Sequence, residues 1–183
     1  MGVVRGPRDI ALLDAIDGLP REPVREAVWR VVPGDRDPLL AAASVSRWCD
    51  GAFDVLYTSL ERNGALSEIH ALLQNQPVFP SKVDWFVHRL SIRCSRVLRL
   101  DNELLAKLGI DATVFRGRDY QRSQQIADVA HFLDFDGLLV PSARWPCSNL
   151  VVFLDKVSPD ELSIDGRDDG PIDWQLVRAS LSK

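Results

Sequence analysis

The segment from Phe86 to Cys94 alternates between apolar and polar side chains. The two faces carry Leu90, Ile92 and Cys94 on one side and Arg89, Ser91 and Arg93 on the other. A period of two residues is typical of a strand with one buried face, because successive side chains of a strand point to opposite sides of its sheet. The pattern therefore predicts a half-buried β-strand.

The remaining elements are mixed in order. Apolar runs bounded by turn residues predict further strands at residues 27–32, 54–58, 138–140 and 150–154. Helical patterns lie at residues 9–16, 61–74, 102–108 and 123–133. In the helix at 61–74, the predicted apolar stripe consists of Ala65, Leu66, Ile69, Leu72 and Leu73. Since there is no regular β-α-β alternation, we expect an α+β fold with a mixed or antiparallel sheet core and flanking helices.

Length and charge limit the architecture and the partners. The 183 residues, 46% of them hydrophobic, suffice for one packed domain over residues 1–183. Residues 155–173 are acidic and contain Gly and Pro, which indicates a mobile, solvated tail segment. A net charge of -4 argues against direct binding of nucleic acid. No apolar run approaches the roughly 20 residues of a membrane span, and no signal peptide is evident, so we expect a cytoplasmic protein without membrane contact.

Several kinds of site lack the residues that they need. There is no glycine-rich phosphate loop, no dinucleotide fingerprint and no nucleophile elbow. The three cysteines, Cys49, Cys94 and Cys147, lie far apart, which makes a disulfide framework improbable. The three histidines, His70, His88 and His131, share no metal-ligand spacing, so we expect them to be surface or satisfied core residues and expect no metal site.

Polar residues at the edges of apolar elements are the remaining candidates for a site. They are Arg30, Arg47, Tyr57, Glu68, Ser142 and Asn149. Glu68 lies about 100° from Ile69 on the helical wheel, beside the apolar stripe, where its carboxylate could overhang a cleft. The alternative is an ordinary surface glutamate.

Arg30 lies inside an otherwise apolar strand, and a buried guanidinium needs an anion from the protein or from a ligand. Arg47 stands beside Trp48, where it is either a surface side chain or part of an anion site. Ser142 ends an apolar strand, a place that suits a ligand-facing residue or a simple turn serine.

The order of these residues resembles the RES domain, a family named for its Arg, Glu and Ser. The resemblance covers about residues 28–154 and includes Trp29-Arg30-Val31, Arg47-Trp48, Val55-Leu56-Tyr57-Thr58-Ser59 and Ala65-Leu66-Ser67-Glu68. Its most specific part is Val140-Pro141-Ser142-Ala143-Arg144 with Asn149-Leu150-Val151 downstream. The chain departs from the family at Val45-Ser46-Arg47-Trp48-Cys49, where the family usually has Gly-Gly-Arg-Trp-Asn.

The resemblance implies an ADP-ribosyltransferase-like fold and a toxin that consumes NAD+. Glu68 would then stabilise the positive charge that grows on the ribose as nicotinamide leaves, with Arg30 and Ser142 completing the catalytic set. Arg30 and Arg47 would hold phosphates, Tyr57 would stack on nicotinamide, and Ser142 with Asn149 would bind ribose or carboxamide.

The acceptor and the partners stay open. ADP-ribose could pass to phosphate or water, or to a side chain of a target protein. A non-catalytic module that binds NAD+ or a partner, with an altered Arg47-Trp48 loop, is the alternative. The resemblance also implies a cognate antitoxin whose helix-turn-helix part contacts DNA and which blocks the NAD+ cleft.

Overall fold

A computed structural model of the chain describes residues 7–41, 45–77, 82–111 and 115–181. The helices of these ranges are α1 (Ile10–Asp17), α2 (Arg62–Gln74), α3 (Asn102–Lys107), α4 (Gln121–Phe132) and α5 (Trp174–Leu181). The strands are β1 (Glu22–Pro33), β2 (Val55–Ser59), β3 (Trp85–Arg99), β4 (Gly137–Pro141), β5 (Ser148–Phe153) and β6 (Leu162–Arg167). Two 3-10 turns, Leu154–Lys156 and Pro159–Glu161, lead into β6.

The strands form one mixed sheet in the order β1-β2-β5-β4-β3-β6. Because β1 also pairs with β3, the pairings of five strands close into a ring. The β3–β4 pair is parallel and the other pairs are antiparallel. The predicted α+β fold with a mixed sheet is therefore confirmed.

Strand β1 follows its two neighbours for very different lengths. It pairs with β3 as far as Pro33, which lies opposite Trp85. Its pairing with β2 consists of Trp29 opposite Ser59. The sheet therefore opens between β1 and β2 beyond Trp29, and the cleft described below lies at this opening.

The predicted strand at Phe86 to Cys94 is confirmed, and it is longer than its alternating pattern. Leu90, Ile92 and Cys94 are buried as expected. The strand continues to Arg99 because β4 pairs with it there, with Val97 opposite Gly137. Likewise β1 begins at Glu22 and not at residue 27, since β3 supplies a partner for this charged stretch.

The segment 155–173, expected to be a mobile, solvated tail, contains a paired strand, β6. This strand pairs with β3, with Ile164 opposite Leu90, although five of its six residues are exposed. Helix α5 follows, and Trp174 stacks on His70 of α2 at 6.1 Å between ring centroids. The exposed edge of β3 orders a segment whose own composition gives little signal for a strand.

Helices α1, α3 and α4 pack on one face of the sheet through residues such as Leu12, Leu105 and Ile126. Helices α2 and α5 occupy another part of the structure, where Ala65 and Leu66 pack against Val31 and Val87. The predicted apolar stripe of α2 is wrong at Leu72, whereas Leu73 is buried as expected. Leu72 is 56% exposed, because it lies beside the cleft and not in the core.

None of the helices in the described ranges is long and apolar enough to cross a membrane. Cys49, Cys94 and Cys147 are all free thiols.

We predict that Gly137→Ala destabilises the sheet. An added Cβ would overlap the carbonyl oxygen of Val151 and lie 3.1 Å from Val152 Cα, both backbone atoms of β5 that cannot move independently of the sheet. Overpacking of this kind costs about 1–3 kcal/mol, which urea unfolding would measure. The matched control is Gly166→Ala, where no atom lies within 4 Å of the new Cβ. Equal unfolding midpoints for the two variants would show that β4 and β5 can separate without cost.

Candidate functional site

A cleft of about 580 Å³ lies at the opening of the sheet. Its lining comes from helix α2, from segments 45–48 and 115–120, and from strands β1, β2 and β5. Five of the six predicted site residues line it directly, namely Arg30, Arg47, Tyr57, Glu68 and Asn149. The sixth, Ser142, is joined to it by a hydrogen bond to Glu68. The structure thus brings together residues that span 119 positions from Arg30 to Asn149.

The carboxylate of Glu68 is the point where three elements meet. Its Oε1 accepts a hydrogen bond from Ser142 Oγ at 2.7 Å and another from Asn149 Nδ2 at 2.9 Å. Glu68 comes from α2, Ser142 from the turn after β4, and Asn149 from β5. Among the described residues, Oε2 has no hydrogen-bond partner. Glu68 therefore presents a carboxylate that is fixed through one oxygen and open at the other.

Ser142 and Asn149 are themselves oriented by this contact. Ser142 Oγ also accepts hydrogen bonds from the backbone N–H groups of Arg144 at 3.1 Å and Trp145 at 3.2 Å. Its hydroxyl hydrogen is thereby directed at Glu68. Asn149 must turn its amide nitrogen to the carboxylate, since a carboxylate only accepts. This leaves Asn149 Oδ1 buried and without a hydrogen-bond partner among the described residues.

A close approach at Gly64 sets the position of α2 over the sheet. A Cβ at Gly64 would overlap Ser59 Oγ of β2 and Cys147 Sγ, which are 3.3 Å apart. A larger residue would have to displace the side chains of both Ser59 and Cys147, so glycine allows the closest approach of the helix. Glu68 follows Gly64 by about one helical turn, so the same close packing lowers it towards Asn149.

Arg30 is buried, with 7% of its surface exposed, and finds its partners in the protein backbone. Its Nη1 donates to the carbonyl oxygens of Pro38 at 2.6 Å and Leu40 at 2.7 Å. The expected need for an anion is therefore met in part by carbonyl dipoles of the loop after β1. Burial lowers the pKa of Arg30 to about 10, with a further contribution from the charge of Arg36, so the guanidinium stays charged at neutral pH.

Arg47 is held between two aromatic rings. Its guanidinium carbon lies 4.8 Å from the ring centre of Phe115 and 4.7 Å from that of Tyr120. Nη2 donates to Gly117 O at 3.3 Å, whereas Nη1 is buried without a hydrogen-bond partner among the described residues. A buried donor of this kind carries a desolvation cost that an acceptor in the cleft would relieve.

Tyr57 lines the cleft, and its hydroxyl group is hydrogen-bonded within the protein. The oxygen accepts a hydrogen bond from the backbone N–H of Trp48 at 3.1 Å. Burial raises the pKa of this phenol far above its usual range, so the ring stays neutral. Tyr57 thus ties the Arg47 segment to β2 and offers the cleft an uncharged aromatic surface.

The cleft contains further residues that the sequence patterns did not single out. They are Arg36, Arg118, Arg144, Tyr120 and Trp85. Arg144 had a usable signal, because it follows Ser142 in the same segment. Arg118 and Tyr120 lie in a polar stretch without periodicity, and only the fold brings them to the cleft, where Tyr120 contacts Arg47.

The histidines lie outside the cleft. His131 Nε2 contacts Asp155 at 2.8 Å, and His88 is buried in β3 with Nδ1 unpartnered within the described residues. No group of three or more His, Cys, Asp or Glu that could hold a metal ion occurs in the ranges that the structure covers.

Three comparisons relate the chain to known proteins. The family model described as the RES domain matches residues 27–175. A Mycobacterium tuberculosis protein named "Probable NAD(+) phosphorylase" is 30% identical over 149 residues, which is 78% of this chain and 71% of that protein. A chain in the crystal structure of the M. tuberculosis MbcT-MbcA toxin-antitoxin complex superposes with a TM-score of 0.80. It is 20% identical, and the match covers 96% of this chain and 99% of the other, which supports the fold.

We predict that Arg30→Ala destabilises the protein. The substitution leaves the carbonyl oxygens of Pro38 and Leu40 without their donor in a buried place. Two such losses cost about 2–4 kcal/mol of unfolding free energy, which chemical denaturation would measure. Arg25→Ala is the control, since Arg25 is an exposed residue of the same strand and its loss should cost under about 0.5 kcal/mol. A stability equal to that of the control would mean that water satisfies both carbonyl groups.

Proposed function

The chain belongs to the RES domain family, and on that premise we propose that it binds NAD+ in the cleft and breaks the bond between nicotinamide and ribose. The observation that carries the proposal is the Glu68 carboxylate, fixed through one oxygen and open at the other. The name of the M. tuberculosis relative, an NAD(+) phosphorylase, supports NAD+ as the substrate.

Glu68 acts on the charge that the reaction creates. When the bond between nicotinamide and ribose breaks, the ribose carbon takes on oxocarbenium character, and a nearby carboxylate stabilises this charge more in the transition state than in the ground state. Ser142 and Asn149 hold Oε1, so Oε2 remains for the ribose and its hydroxyl groups. The carboxylate is oriented before the substrate arrives and needs no reorganisation during the reaction.

Tyr57 and Asn149 would receive the nicotinamide. The neutral ring of Tyr57 offers a face to the cationic pyridinium, an arrangement worth about 0.5–2 kcal/mol. The buried Oδ1 of Asn149 is an acceptor without a partner among the described residues, and the carboxamide of nicotinamide carries an N–H₂ donor. Both residues lie in the cleft with Glu68, so the ring would leave beside the group that stabilises its departure.

Arg47 and Arg30 would hold the pyrophosphate. Arg47 is pre-oriented between Phe115 and Tyr120, and its unpaired Nη1 is available for a phosphate oxygen. Arg30 stays charged, and its Nη1 donates hydrogen bonds to the carbonyl oxygens of the loop after β1. Guanidinium groups bind phosphate through charge-assisted hydrogen bonds, which are about twice as strong as neutral ones.

We favour an enzyme over a non-catalytic binding module. A displaced Arg47-Trp48 loop would favour a non-catalytic module. In the structure, however, this loop is anchored by two hydrogen bonds, from Trp48 N to Tyr57 Oη and from Gln124 Nε2 to Ser46 O at 2.8 Å. Arg47 therefore stays in the cleft with Glu68. For the acceptor we favour phosphate, after the name of the relative, over water or a target protein.

We further propose that the protein is the cytoplasmic toxin of a toxin–antitoxin pair. The likeness to a chain from the MbcT-MbcA toxin-antitoxin complex supports this role. NAD+ consumption would harm the cell that makes the protein, so a cognate antitoxin must block the cleft. A helix-turn-helix part of the antitoxin would supply the DNA contact that the net charge of -4 disfavours in this chain.

We predict that Glu68→Gln lowers nicotinamide release from NAD+ by about 100- to 1000-fold, the scale of losing one preorganised electrostatic group. The amide keeps the shape of the side chain and removes its charge, so NAD+ binding measured by calorimetry should persist. Glu103→Gln is the matched control, because Glu103 is an exposed glutamate on α3 that pairs with Lys107. Near-native release by Glu68→Gln would leave Glu68 a structural residue and remove the basis of the proposal.

We also predict that expression of the native chain alone arrests growth of a bacterial host, whereas the Glu68→Gln chain is tolerated and accumulates. The physical reason is the loss of NAD+, which direct measurement in cell extracts would follow. Growth arrest at unchanged NAD+ levels would point instead to modification of a target protein. Equal toxicity of the two chains would contradict both explanations, NAD+ loss and target modification, because each requires Glu68.

A further inference from the structure

Arg144 belongs to the most specific part of the family resemblance, yet the proposed function uses only its neighbour Ser142. Arg144 lines the cleft and is exposed. Its backbone N–H donates to Ser142 Oγ, and no contact within the described residues engages its guanidinium. The side chain therefore offers five donors and a full charge at the edge of the cleft.

The turn that carries Arg144 is tied at several points. Ser142 N donates to Cys147 O at 2.8 Å, and Cys147 N donates to Trp145 O at 2.7 Å. Trp145 Nε1 reaches Glu61 Oε2, before the start of α2, at 3.1 Å. The backbone of Arg144 is thus fixed to the same hydroxyl that holds Glu68, while its guanidinium is left to meet a ligand.

The charges at this end of the cleft do not balance. Burial lowers the pKa of Arg47, the nearby charge of Arg144 lowers it further, and Glu68 acts in the opposite direction. Arg47 and Arg144 line the same cleft as Glu68, whose Oε1 is already used by Ser142 and Asn149. With Arg47 assigned to the pyrophosphate of NAD+, Arg144 is left without an anion, and a second anion bound at Arg144 would balance this charge.

Building on the proposed function, we propose that Arg144 binds inorganic phosphate and directs it to the ribose carbon as the acceptor. An oxygen of hydrogen phosphate forms a bond to C1 of the ribose while the bond from C1 to nicotinamide breaks. The electron pair of that bond passes to the ring nitrogen and neutralises its charge. The products are nicotinamide and ADP-ribose 1-phosphate, whose phosphate proton is free to exchange with solvent, and no oxidant or reductant takes part.

Accessibility distinguishes Arg144 from the arginines assigned to the pyrophosphate. Arg30 is buried, and Arg47 is stacked between two rings, so both are fixed before any ligand binds. Arg144 is exposed, so a small ion can reach it after NAD+ has filled the cleft. The planar guanidinium also matches two oxygens of one phosphate, a geometry that lysine cannot reproduce.

The test measures initial rates of nicotinamide release over a series of phosphate concentrations, with products separated by chromatography. For Arg144→Gln we expect the KM for phosphate to rise by about tenfold or more, the scale of one lost charge-assisted contact, and the KM for NAD+ to stay within about twofold. The product should shift from ADP-ribose 1-phosphate towards ADP-ribose. Arg144→Lys keeps the charge but lacks the forked guanidinium, so its KM for phosphate should lie between those of the native protein and of Arg144→Gln.

Arg62→Gln is the matched control, because Arg62 is an exposed arginine that pairs with Asp168 and does not line the cleft. Equal increases in both KM values would assign Arg144 to the pyrophosphate of NAD+, and unchanged values would make it a surface residue; each result overturns the proposal. Release that is independent of phosphate in the native protein overturns it as well, while leaving NAD+ cleavage intact. Absence of any release by the native protein overturns the proposed function together with this assignment.

Discussion

The site depends on one feature of the sheet, the early separation of β1 from β2. Trp29 pairs with Ser59, and β1 then continues beside β3 alone as far as Pro33. A strand that keeps one neighbour and loses the other leaves a gap in the sheet, and a gap that is neither filled by side chains nor closed by a further strand becomes a cleft. Helix α2 covers this gap because Gly64 lets it approach β2 closely. The cleft is thus a consequence of strand pairing, and Glu68 reaches it because α2 follows β2 directly.

Local pattern predicted the elements that bury one face. The alternation at Phe86 to Cys94 and the helix at residues 61–74 were both confirmed, since each has the period of its own backbone. The sequence did not predict strand β6, because Ser163, Asp165 and Gly166 are exposed and the strand shows no apolar alternation. What orders this strand is the free edge of β3, a property of another segment. The exposure of Leu72 has the same kind of cause, since a helical wheel cannot tell a core from a cleft wall.

The sequence proposed the candidate site residues, but it could not predict their hydrogen-bond partners. Glu68, Ser142 and Asn149 were chosen separately, and only the fold joins their side chains through Oε1 of Glu68. Arg30 shows the limit of reasoning from residue type. We expected the buried guanidinium to bind an anion, but its Nη1 donates hydrogen bonds to the carbonyl oxygens of Pro38 and Leu40. Carbonyl groups belong to every residue, so no sequence pattern marks the ones that will be used.

The side chain of Arg47 is positioned by residues outside its own loop. The family usually has two glycines before the Arg-Trp pair and Asn after it, and this chain has Val45, Ser46 and Cys49 at those places. Ser46 and Cys49 close the turn through their backbones, and Cys49 Sγ contacts Phe53 O at 3.1 Å and Gly51 N at 3.3 Å. The guanidinium is positioned from outside the loop, by Phe115, Tyr120 and the contact of Trp48 with Tyr57. Since these anchors lie on other segments of the chain, the position of the guanidinium in the cleft with Glu68 does not depend on the side chains of Val45, Ser46 and Cys49.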